Sequence, residues 1–217
     1  MNTSTFERFG GLSAFVAGLG GLAYSISFVI ISQSAPEVSD VLTPLFLLLG
    51  GLLTTAVLVA LYSRLRETDA MFALWAVLLG VGAALGTAAH GGYDLANAAN
   101  PPSLSTDFNN GLSALPSQID PRGLFTFGVA GLAVFTLSWL ITRGSQLPKA
   151  LGYLGYLSGV LLVIIYLGRL IILDPKNPLL LGSAALEGFL VNPIWFIWLG
   201  LVLWRGQKIA SKHELGA

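Results

Sequence analysis

A chain of 217 residues with 11 basic and 11 acidic side chains, no net charge and only 10% charged residues is built for lipid rather than water, since a soluble domain carries about 25%. Hydrophobic residues make up 54%, and mean hydropathy is +0.77. Zero net charge argues against a nucleic-acid partner; the absence of cysteine removes disulfides, thiol redox relays, iron–sulfur clusters and thiolate metal sites together.

Six apolar stretches fill the chain, at about 10–31, 41–62, 70–91, 123–141, 150–173 and 179–204. A helix needs about 20 apolar residues to cross a ~30 Å hydrocarbon core. The runs are continuously apolar rather than alternating in ~10-residue pieces, which favours helices over a barrel. The expected fold is all-α: one polytopic six-helix transmembrane domain over 1–217, with no room for a second.

The first stretch follows Arg8. Its small residues recur every four positions, at Gly10, Ala14 and Gly18 and again at Ala17, Gly21 and Ser25. In lipid, close backbone approach at such residues is what holds helices together. Ser32-Gln33-Ser34-Ala35 offers the small residues of a cleavage site. The run before it, at about 22 residues, exceeds the 7–15 of a signal peptide, so a retained helix is expected. The second stretch lies between acids (Glu37, Asp40) and bases (Arg64, Arg66).

The third carries Gly82-x-x-x-Gly86 and then Thr87, His90, Asp94 and Asn97, whose spacings of three and four place them on one face. Pro101-Pro102 should stop this helix. The segment 95–121 is the one sizeable loop, rich in Asn, Ser, Pro and Asp. Residues 103–115 fit a short surface helix capped by Ser103 or Ser105. The loop reads either as a linker or as a lid over a pocket.

The fourth stretch ends at Arg143 and Lys149. The fifth carries Gly155-x-x-x-Gly159, then Tyr166 and Arg169, and ends at Asp174-Pro175. The sixth holds Ser183 and Glu187, then Asn192-Pro193, where the missing proline N–H frees the Phe189 carbonyl and predicts a kink. The glycine motifs read as packing faces within the bundle; a homodimer seam uses the same motif.

Eight of the eleven Lys and Arg fall on one side: Arg8, Arg64, Arg66, Arg143, Lys149, Arg205, Lys208 and Lys212. The positive-inside rule makes that side cytoplasmic, with Trp75, Trp139 and Trp204 near the same boundary. Both termini are then inside and the 95–121 loop outside.

Ionisable residues within a span are costly and mark candidate functional sites. His90, Asp94, Arg169 and Glu187 stand out, all toward the outer leaflet, with Tyr166 and Asn97 beside them. His90 and Asp94 can hydrogen-bond or share a ligand. Arg169 and Glu187 lie roughly 7–12 Å inside the boundary at 1.5 Å per residue. Their matched depth on consecutive antiparallel helices predicts an ion pair, with Asp94 competing for the arginine. Each has a structural alternative: an ion pair that fixes two helices, a solvated interfacial histidine, a packing kink at Asn192-Pro193.

Several chemistries are disfavoured. A haem held by two histidines needs two imidazoles at membrane depth, and only His90 qualifies. No H-E-x-x-H and no G-x-x-x-x-G-K-[ST] occur, no span carries a lysine for a Schiff base, and no serine sits in a nucleophile elbow. No catalytic residue, metal site or cofactor is expected.

Leu147-Pro148-Lys149-Ala150-Leu151-Gly152-Tyr153-Leu154, the acid Glu187 followed by Trp195-Phe196-Ile197-Trp198-Leu199, the closing Arg205-Gly206 and the opening Arg8–Gly11 together resemble a broad group of bacterial integral membrane proteins of six or seven helices. The resemblance covers about a third of the chain and implies a bacterial cytoplasmic membrane; that group has no established activity to carry over.

The expectation is therefore a non-enzymatic membrane protein with an outward-facing polar pocket formed by His90, Asp94, Asn97, Tyr166, Arg169 and Glu187. It would bind a membrane lipid or small polar ligand, or serve as an accessory subunit on other membrane proteins or in a homo-oligomer. A proton-coupled carrier using Glu187 or Asp94 and a lipid-active enzyme with His90 as general base oriented by Asp94 are the alternatives.

Overall fold

The computed structural model describes residues 5–99, 119–174 and 177–205. Six helices are long and apolar enough to cross a membrane: α1 (Thr5–Ser34), α2 (Pro36–Leu65), α3 (Ala70–Ala99), α4 (Leu124–Arg143), α5 (Lys149–Ile171) and α6 (Pro178–Arg205). No strand occurs among the described residues. The all-α, six-span expectation is met. The helix ends are set locally: the Asp69 carboxylate accepts from the N–H groups of Met71 and Phe72 and Asn177 accepts from Leu179 N–H ahead of Pro178, each satisfying donors a helix start leaves open. Residues 95–99, expected in the outer loop, belong to α3. The alanine-rich Leu95–Ala99 run favours continuation, and it carries Asp94 and Asn97 on the helix. The 103–115 surface helix and the Pro101-Pro102 stop lie outside the described residues.

The helices form a ring in chain order, each packed on the next, and the second half of α6 returns onto α1. Glycines set the closest approaches. A methyl added at Gly11 would lie 2.7 Å from Trp204 N, and one at Gly200 would lie 2.7 Å from Gly11 O. Gly51 meets Ala84 O between α2 and α3, while Gly131 and Gly159 face each other between α4 and α5. The third helix splits its motif: Gly86 packs on Phe125 of α4, but Gly82 faces open space.

The ring is solid at one end and hollow at the other. At the end holding the α2–α3 and α4–α5 turns, Leu61, Leu65, Leu137, Leu140, Ile141, Leu151, Leu199 and Leu203 form a fully buried core. Here Arg64 is buried rather than free at the interface. Its Nε donates to Glu7 Oε1 at 2.9 Å and its Nη2 to Oε2 at 3.2 Å, while the Ser63 hydroxyl donates to the same carboxylate at 3.1 Å. Toward the opposite end, here termed the loop end, three helices widen into π-turns, at Ser27–Ile31, Leu124–Val129 and Glu187–Val191.

Candidate functional site

The widened turns surround a central cavity of about 510 Å³. Leu58, Leu61, Leu137 and Trp195 lie toward its floor; Tyr24, Ser25, Phe28, Phe46, Thr87, Thr126, Phe127, Phe189 and Asn192 contribute to its walls. All six helices contribute, and the lining is predominantly apolar. Glu187 is the one charged residue among those that line it.

Glu187 opens the π-turn of α6, where Asn192 N–H bonds the Glu187 carbonyl five residues back. This wide turn absorbs the backbone disruption that Pro193 imposes, so the predicted kink takes the form of a π-turn just ahead of the proline. The side chain is 4% exposed. Ser158 of α5 donates to Oε1 at 2.6 Å, whereas Oε2 is buried with no hydrogen-bond partner. The Asn192 side chain lies beside the carboxylate without bonding Oε2. A buried polar atom left unpaired is uncommon, and such atoms recur where a ligand or water belongs.

The expected Arg169–Glu187 ion pair does not form. Among the described residues no cation lies within 4.0 Å of Glu187 and no carboxylate within 4.0 Å of Arg169. The expected matched depth does not hold: Glu187 meets Ser158, roughly 16 Å down α5 from Arg169 at 1.5 Å per residue, whereas Gly168, beside Arg169, meets Leu180 of α6. The Arg169 guanidinium stacks 5.3 Å from the centre of the Phe127 ring, a cation–π contact. Arg169 does not line the cavity, nor do Tyr166, His90, Asp94 and Asn97. Tyr166 packs from α5 onto Gly128 of α4, and Asn97 is half-buried near the end of α3.

The polar residues at the loop end form a separate cluster. His90 Nε2 lies 3.0 Å from Asp94 Oδ2, the pairing expected from their spacing. The Nδ1 atom is buried without a hydrogen bond, 3.9 Å from Asp120 Oδ2. Asp120, expected in a loop, is 1% exposed. Its carboxylate caps α4, accepting from Phe125 N–H at 2.7 Å, Thr126 N–H at 2.9 Å and the Thr126 hydroxyl at 2.6 Å. Thr87 donates to Thr126 at 3.4 Å, and both threonines line the cavity. Polar groups thus line up from the cavity wall through Asp120 and His90 to Asp94, which is 42% exposed, with a break of 3.9 Å between Asp120 and His90 that no hydrogen bond spans. Arg122, held at φ 58°, donates to the Arg169 carbonyl at 2.9 Å and so caps the end of α5. Tyr24 lies on the cavity wall.

The sequence pattern identified Glu187 and the His90–Asp94 pair. It missed Asp120, whose role depends on where the chain re-enters the bundle. It also missed Tyr24 and Ser158, which carry no signal beyond residue type. Among the described residues no group of three His, Asp or Glu could hold a metal ion.

A second hollow of about 530 Å³ lies between α1 and α2 and includes Val16, Leu19, Gly20, Leu49 and Leu52. All but Gly20 of these are exposed on the outer face of the ring. Ala17, Phe46 and Gly50 line both this groove and the central cavity. Nothing lies within 4 Å of a methyl added at Gly20 or Gly50. The chain matches no known family model, no curated protein and no solved structure.

Proposed function

We propose that this multi-pass membrane protein binds a lipid-like small molecule, which enters the central cavity sideways from the bilayer, and that it acts as a binding protein rather than an enzyme. One observation carries the reading: a ligand-sized cavity shares Ala17, Phe46 and Gly50 with a groove on the outer face of the ring. Binding sites for small molecules are mostly apolar hollows of about 300–1,000 Å³ with a few polar groups. The distribution of basic residues supports both termini inside and the hollow end facing out. The resemblance noted above supports a bacterial cytoplasmic membrane. Cysteines introduced at Ser117 and Ser211 test the orientation: an impermeant thiol reagent on intact cells should label position 117 alone.

The test of entry uses the full chain in nanodiscs containing a lipid with a photoreactive group in its acyl chain. Adducts are expected on cavity residues such as Thr54 and Leu58 as well as on groove residues such as Leu49 and Leu52. Gly50→Leu has open space for its first side-chain atom, so it should fold, narrow the opening and lower the cavity adducts several-fold. Adducts confined to groove residues in the parent chain would refute the reading.

The alignment of Asp94, His90, Asp120 and Thr126, closed except for 3.9 Å between His90 and Asp120, favours a second reading, a proton-coupled carrier of a small solute. It predicts that a pH gradient drives solute uptake into proteoliposomes and that His90→Gln abolishes this drive.

A further inference from the structure

We infer that the cavity selects a lipophilic cation, a molecule with an apolar body and an ammonium group that sits against Glu187. The inference rests on the cavity reading above and adds the charge of the ligand. Glu187 is 4% exposed and contributes to the wall of an apolar hollow, and its Oε2 is buried in that wall without a hydrogen bond. A buried carboxyl group keeps its charge only beside an opposite charge or several donors, and otherwise holds a proton. Ser158 supplies one donor, the Asn192 side chain lies beside the carboxyl group without bonding Oε2, and no basic side chain lies within 4.0 Å among the described residues.

The rest of the wall suits the same ligand. Tyr24, Phe28, Phe127, Phe189 and Trp195 surround the hollow, and aromatic faces attract ammonium groups, most strongly where water is excluded. An anionic amphiphile would meet Glu187 with like charge. A zwitterion that carries phosphate beside its ammonium would bring an anion to a wall without a basic residue. Arg169, a basic side chain at the same end, is turned onto Phe127 and does not line the cavity. A free amine or quaternary ammonium is therefore favoured over a phospholipid headgroup, although both share the ammonium chemistry.

The experiment is calorimetric titration of the full chain in nanodiscs, with empty nanodiscs subtracted. The probes share one alkyl chain: dodecyltrimethylammonium, dodecanol, dodecyl sulfate and dodecylphosphocholine. The parent chain should bind the ammonium at least ten-fold more tightly than the alcohol and the sulfate. Glu187→Gln, which keeps an oxygen for Ser158, should remove that preference, bringing the ammonium and the alcohol to similar affinity. Phosphocholine binding as tight as the ammonium, and equally dependent on Glu187, would support the ammonium site and assign its source to lipid headgroups. Equal binding of the ammonium and the alcohol to the parent chain would overturn the inference while leaving the cavity reading intact. No binding by any probe would overturn both. The charge series on the parent chain decides the matter even if Glu187→Gln fails to fold.

Discussion

Four glycine-to-alanine substitutions should divide by sign, because the same methyl meets backbone at two positions and nothing at the other two. At Gly11 the added carbon would lie 2.7 Å from Trp204 N and 2.9 Å from Gly200 O; at Gly200 it would lie 2.7 Å from both Gly11 O and Phe15 N. Every one of these neighbours is backbone, so accommodation means parting α1 from α6. Overpacking of this kind costs about 1–3 kcal/mol. At Gly50 and Gly82 nothing lies within 4 Å, and alanine should instead stabilise the helix by roughly 0.5–1 kcal/mol. The assay is reversible unfolding of the purified chain in mixed micelles of rising dodecyl sulfate fraction, followed by circular dichroism. Gly11→Ala and Gly200→Ala should move the midpoint down, Gly50→Ala and Gly82→Ala up or not at all. If Gly200→Ala were no more harmful than Gly82→Ala, the packing of α6 on α1, and with it the closed ring, would be refuted.

Glu7→Gln should destabilise the chain by about 3–5 kcal/mol in the same assay, because it leaves the buried Arg64 guanidinium without its counter-charge; replacing both residues by leucine should recover most of the loss. Arg122→Ala removes the bond to the Arg169 carbonyl but keeps the left-handed backbone, whereas Arg122→Gly removes both the bond and the strain. The glycine variant should therefore be the more stable of the two by about 1 kcal/mol, and equal stabilities would show that φ 58° is not strained here.

The six spans were legible because a continuous apolar run of membrane length has few other uses, and the His90–Asp94 contact was legible because a helix brings residues four apart together. A run of residues specifies that a helix spans; its axial register against a neighbour and its rotation are set by packing. The Arg169–Glu187 failure is one of register: α6 meets α5 with Leu180 against Gly168 and Glu187 against Ser158, which leaves Arg169 at the level of Leu180, roughly 10 Å along α6 from Glu187. The same limit applies to the glycines: a small residue marks a position where neighbours are permitted, and Gly82 and Gly86 share one motif although only Gly86 has a close neighbour. Asp120 was illegible for another reason, since its three donors come from the start of a helix whose entry is set by tertiary packing.

The division into a solid half and a hollow half bears on what the hollow contains. A void left empty costs stability in proportion to its volume where it is closed off; the hollow of about 510 Å³ shares Ala17, Phe46 and Gly50 with the outer groove and so is open to filling from the bilayer. Association in lipid lacks a hydrophobic force that would squeeze the helices together against this cost, and the proline in α6, the wide turns and the aromatic wall hold the loop end apart. The stable form is then an occupied one, with acyl chains from the groove filling the space whenever a ligand is absent. Binding becomes an exchange between two apolar bodies, in which the burial of apolar surface nearly cancels. What remains to discriminate between them is the polar group opposite Glu187, so a single carboxylate can govern selection in a cavity that is otherwise greasy.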